Sequence, residues 1–72
     1  MGVTRDQLEK DRRRRRRRIV AGYMSQLAVL DSVIRDARAN EMGFLAHDLT
    51  HARERVLACF RDELDRVDRG VV

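Results

Sequence analysis

The 72 residues carry 16 basic and 12 acidic side chains, one cysteine and no proline, with 43% of the chain hydrophobic. That length allows one domain at most (residues 1–72), a single cysteine excludes an intrachain disulfide framework, and the apolar share is too high for a chain that stays unfolded. A chain this small buries little surface by itself, so a second copy is the expected remedy.

The first element predicted is a helix over about 4–39. Thr4 followed by Gln7 fits a capping box, and Asp6, Glu9 and Asp11 suit the positive end of the helix dipole. The same acids stand four residues before bases, as Asp6–Lys10, Glu9–Arg13 and Asp11–Arg15, the favourable orientation for helical ion pairs. Within this helix lies a basic arm over 10–18, formed by Lys10 and Arg12, Arg13, Arg14, Arg15, Arg16, Arg17 and Arg18 against Asp11 alone. The rest of the chain is mildly acidic.

Beyond the arm, Val20, Tyr23, Leu27, Leu30, Ile34 and Ala37 recur at alternating spacings of three and four, with Ile19, Met24 and Val33 widening the stripe, an a/d seam that calls for helical neighbours. The pattern breaks at about 39–43, where Asn40 and Gly43 favour a turn. A second helix is predicted over about 43–69. Its expected stripe runs through Met42 or Leu45, then Leu49, Ala52, Val56 and Cys59 or Phe60, and continues through Leu64, Val67 and Val71, with Gly70 as the stop. The fold class expected is all-α: an antiparallel helical hairpin that dimerises into a four-helix bundle. Its core and dimer contacts are assigned to Val20, Tyr23, Leu27, Leu30, Ile34, Leu45, Leu49, Val56, Cys59 and Phe60. Cys59 reads as a small buried residue.

With a turn near residue 41, positions summing to about 82 lie side by side. Arg14 then falls near Asp68, Arg16 near Arg66 and Arg18 near Leu64. The segment "RDELDRVDR" supplies Asp62, Glu63, Asp65 and Asp68, too few acids to cancel seven arginines, and arginines at every angle of a helix cannot all face one neighbour. The remainder must face water or an anion. Arginine's planar fork matches phosphate, and a helical cluster can lie along a nucleic-acid backbone without reading its sequence. The function expected is therefore polyanion binding by Arg12–Arg18 in a non-catalytic regulatory protein, with RNA or DNA as partner. The alternative is a protein-interaction adaptor, with an acidic protein as partner, whose arm is solvated or paired internally.

"HDLTH" sets His47 and His51 four apart on one helix face, with Glu54 at i+7. That spacing can hold zinc, yet the general-base glutamate of the protease motif is replaced by Asp48 and no third ligand is evident. The pair reads as two exposed histidines, so no metal and no cofactor is expected. No phosphate-binding glycine loop or nucleophile constellation is present, and an enzyme is not expected. The apolar run after the arginines is interrupted by Ser25 and Gln26, so neither a signal sequence nor a membrane anchor is expected, and the location expected is cytoplasmic.

The stretches "AGYM" and "HDLTHARERVLACF" resemble the two helices of the Rop-type RNA-binding hairpins. "YMSQLAVL" with "FLAHDLTHAR" is similar to small alpha-proteobacterial hairpin proteins to which no activity attaches. The likeness spans about residues 20–60 and implies architecture only. The arginine block has no counterpart in it.

Overall fold

A computed structural model describes residues 4–70; Val71, expected to extend the second stripe, lies outside them. Two helices make up the described residues, α1 (Arg5–Ala39) and α2 (Gly43–Asp68), packed antiparallel as a hairpin with no strand among the described residues. Thr4 is extended and its Oγ1 accepts from the Gln7 N–H at 3.2 Å, so the capping hydroxyl does start α1. Of the three expected i,i+4 ion pairs only Glu9–Arg13 closes, at 3.7 Å. The others stay open because such pairs gain little in water.

The turn is built by α1's own C-terminus. The Met42 N–H donates to Ala37 O at 2.8 Å and the Glu41 N–H to Arg38 O at 3.2 Å, the paired bonds of a Schellman motif. The Asn40 side chain adds a second bond to Asp36 O, donating at 2.8 Å to the carbonyl that already accepts the Asn40 backbone N–H at 3.1 Å. Asn40 itself stays at φ −101°, and the left-handed residue is Glu41, at φ 60°. An L side chain there costs about 1–2 kcal/mol, which glycine avoids at some loss of unfolded-state restriction. Glu41→Gly should therefore raise stability by about 0.5–1 kcal/mol, read as a higher midpoint in urea. At the far end Gly70, at φ 75°, follows α2 and donates to Val67 O at 3.0 Å.

The hydrophobic stripe of α1 turns inward as its spacing requires. Leu27, Ile34 and Ala37 are buried, and Val20, Tyr23 and Leu30 are half-buried. Tyr23 stacks on Phe60 with centroids 5.0 Å apart. The inward seam of α2 is Ala46, Thr50, Arg53, Leu57, Phe60, Leu64 and Val67, again at fours and threes. Ala46 alone among these is fully buried. Thr50 returns its hydroxyl to Ala46 O at 2.7 Å, and Arg53 donates across to Asp31 Oδ1 at 2.7 Å. The α2 stripe expected from sequence is thereby offset by one residue in its first half, while Phe60, Leu64 and Val67 lie inward as expected. Leu45 is 45% exposed and Cys59 is exposed, so neither belongs to the hairpin core, and Leu49 and Val56 are half-buried, as Thr50, Arg53 and Leu57 are. The reason is register. Arg16–Asp68 and Arg53–Asp31 both sum to 84 rather than 82, so Arg16 meets Asp68 where Arg66 was expected.

The result is a rod of 61 × 15 × 12 Å with a radius of gyration of 17.0 Å, against about 11 Å for a compact domain of this length. None of the described helices is long and apolar enough to cross a membrane.

Candidate functional site

The seven arginines occupy the N-terminal half of α1, opposite the last turns of α2. They are helical because the segment has a capped start, acidic first turns and high helix propensity, and because the seam beyond it is anchored by packing. All seven are exposed.

Their angular positions divide them. Arg12 and Arg16 continue the α1 seam upward from Tyr23 and Val20, and so face α2. Arg16 Nε lies 3.3 Å from Asp68 Oδ1. The Arg12 guanidinium sits over the end of α2, where Nη2 would stand 3.3 Å from a Cβ on Gly70. The carbonyl end of a helix dipole attracts a cation there. Arg13 reaches Glu9. Arg14, Arg15, Arg17 and Arg18 have no carboxylate within 4.0 Å among the described residues. These four point away from or alongside the hairpin and form its free cationic surface. The acids of α2 opposite the arm are partly engaged elsewhere: Asp65 holds Arg69 at 3.1 Å.

Where the arm meets the seam, Tyr23 links the two helices electrostatically as well as by stacking. Hydrogen bonding to the Glu63 carboxylate, then desolvation and the negative charge of Glu63, push the Tyr23 phenol up to about 12. A phenol raised from its ordinary 10 in the fold contributes stability that is intact below pH 10 and lost as pH climbs through about 12. Tyr23→Phe should flatten that alkaline loss while keeping the stack on Phe60. The check is melting temperature against pH between 8 and about 12 for both chains.

His47 and His51 are exposed, on the side of α2 opposite Leu45 and Leu49, with Nε2 atoms 3.2 Å apart and rings edge-on. Glu54 lies 3.6 Å from His51 Nδ1. The pair satisfies itself as one imidazole N–H donating to the other's free nitrogen. No group of three metal-ligating side chains occurs among the described residues. Phe44, at the hairpin tip, is 94% exposed.

Sequence reasoning missed Ala46, Thr50, Arg53 and Leu57 as inward residues. Their spacing was readable, but a threonine and an arginine on the seam made it look less apolar than its neighbour.

No family model, curated protein or solved structure matches the chain. What stands of the expected resemblance is the two-helix architecture alone.

Proposed function

We propose that this is a non-catalytic, dimeric helical hairpin of the cytoplasm that binds a polyanion, nucleic acid foremost, through its arginine arm. One observation carries the reading: Arg14, Arg15, Arg17 and Arg18 are exposed on a single ordered helix with no acid partner among the described residues. A helix rises about 1.5 Å per residue, so the four guanidiniums are concentrated along less than about 10 Å. A phosphate backbone is the ligand that matches such a density of forked donors. The arm has no aromatic side chain to stack bases, so contacts fall on phosphates and sequence is not read.

The second reading, a protein adaptor with an internally paired arm, is favoured by Arg16–Asp68 and Arg13–Glu9. Those pairs account for two of the seven arginines, and both are solvent-exposed, where an ion pair is worth about 0–1 kcal/mol. Neutralising about four phosphates per arm gives a slope of log K against log salt near −3.6 on duplex, and about twice that when two arms engage. Fluorescence anisotropy on random-sequence RNA and DNA from low to physiological salt tests this. Steep, sequence-blind binding supports the polyanion reading, and no binding at low salt leaves the adaptor.

A further inference from the structure

We infer that a second copy of the chain packs antiparallel on one particular face of the hairpin, stacking α1 on α1 and α2 on α2 and sending the two arginine arms out of opposite ends. This rests on the dimeric part of the proposed function and adds the face and the direction.

The face is identified by register. Moving one residue toward the N-terminus from each inward seam gives the positions on one side of the hairpin. They are Ile19, Gly22, Gln26, Val29 and Val33 on α1, and Leu45, Leu49, Ala52, Val56 and Cys59 on α2. Both sets keep heptad spacing, both fall on the same side because the helices run antiparallel, and over 19–33 and 45–59 neither contains a charge; Asp36, Glu63 and Arg66 bound this apolar stretch at its ends. Moving one residue the other way gives Ala21, Met24 and Ala28 and then Asp31, Arg35 and Arg38 on α1, and His47, His51, Glu54, Ala58 and Arg61 on α2, a side that is charged over the half nearer the turn. The apolar side is partly open in the single hairpin: Val29 is 57%, Leu45 45% and Val33 41% exposed, and Ile19, Leu49, Ala52 and Val56 are half-buried. On α2 between residues 45 and 57 this outward seam is more apolar than the inward one, which holds Thr50 and Arg53 there. A sequence that places its better hydrophobic seam outward is built to bury it against something.

The area matches a copy of itself. The chain exposes 6211 Å², whereas a folded protein of 8.4 kDa exposes about 4,600 Å². The excess of about 1,600 Å² exceeds the roughly 800 Å² per partner that a standard stable interface removes. A heptad-spaced, charge-free face also complements its own twofold image, which is the requirement of an isologous contact.

Charge sets the direction. Residues 4–18 with 61–70 hold twelve basic and seven acidic side chains, while residues 19–60 hold four and five. Parallel packing would bring two strongly positive ends together. Antiparallel packing, centred where the apolar face is centred near Val29 and Val56, sets the two Arg15 residues about 40 Å apart. That is well beyond the roughly 8 Å screening length at physiological salt. The partner's turn then reaches only to about residue 17, leaving the arms uncovered.

The test uses the full chain. Sedimentation should give twice the chain mass for wild type. Val29→Lys places two lysines at the axis and should halve the mass, whereas Ala28→Lys, on the charged side, should leave it doubled. Circular dichroism must show Val29→Lys still helical. If it unfolds, Val29→Gln takes its place and should weaken association at least tenfold. Lys10→Cys in a Cys59→Ser background, spin-labelled, should report about 55–60 Å between copies. Parallel packing would give about 15 Å, the diagonal of a bundle whose helices lie 8–10 Å apart. A doubled mass with the short distance overturns the direction, and a Val29→Lys chain that stays doubled overturns the face. A wild-type monomer removes the dimeric reading itself.

Discussion

Replacing Arg13 through Arg17 with glutamine should abolish binding to RNA and DNA while leaving the helical signature of the protein intact. The variant removes Arg14, Arg15 and Arg17, three of the four guanidiniums without an acid partner among the described residues. Each guanidinium lost also removes about 0.9 from the salt slope on duplex, so the residual dependence should fall to about −1 per arm. Affinity at low salt should drop by at least a hundredfold, since most of the attraction is counterion release. The fold should hold because the two pairs removed with them, Arg16–Asp68 and Arg13–Glu9, are exposed and each worth about 0–1 kcal/mol. Glutamine keeps helix propensity close to that of arginine and relieves the self-repulsion of the run. Collapse of helicity in this variant would instead assign the arginines a structural role.

Ile34→Ala should have the largest effect on stability. Ile34 is one of four buried hydrophobic residues among those described, beside Leu27, Ala37 and Ala46. Removing a buried isoleucine side chain costs about 2–5 kcal/mol in transfer and cavity contributions. Small domains hold only about 5–15 kcal/mol in total, and this rod starts from a smaller core than most. The variant should melt well below wild type, or be largely unfolded at 37 °C, by circular dichroism. Val29→Ala, trimming a side chain 57% exposed in the single hairpin, should cost the hairpin little by comparison. A drop in its melting point that grows on dilution would locate the loss in association.

How far the sequence could be read depended on the contrast within each helix. On α1 the seam from Val20 to Ala37 is apolar, and Leu27, Ile34 and Ala37 are buried on it. The start of α1 was legible because Thr4 has one clear job. The turn was legible in place, but the left-handed position fell to Glu41, since the Schellman bonds fix that residue by count from Ala37 and not by preference. On α2 two adjacent seams compete. The one containing Leu45, Leu49, Val56 and Cys59 looks more like a core, yet the hairpin turns the Ala46–Thr50–Arg53–Leu57 seam inward. A one-step choice between neighbouring seams rotates the helix by about 100° and is decided by the turn, not by hydrophobicity alone. The exposure of the arginines was legible because no two-helix structure can cover every angle of α1. Their division into facing and free residues required the register, which puts Asp68 opposite Arg16.

Association is decisive, because a rod with four buried residues among those described and an apolar flank over 19–33 and 45–59 is incomplete alone. Light scattering over a dilution series, with melting followed on the same samples, measures this most directly. The account predicts a particle of twice the 8.4 kDa chain mass at micromolar concentration, with a melting temperature that falls on dilution. A particle of one chain mass with a cooperative melt independent of concentration would contradict it.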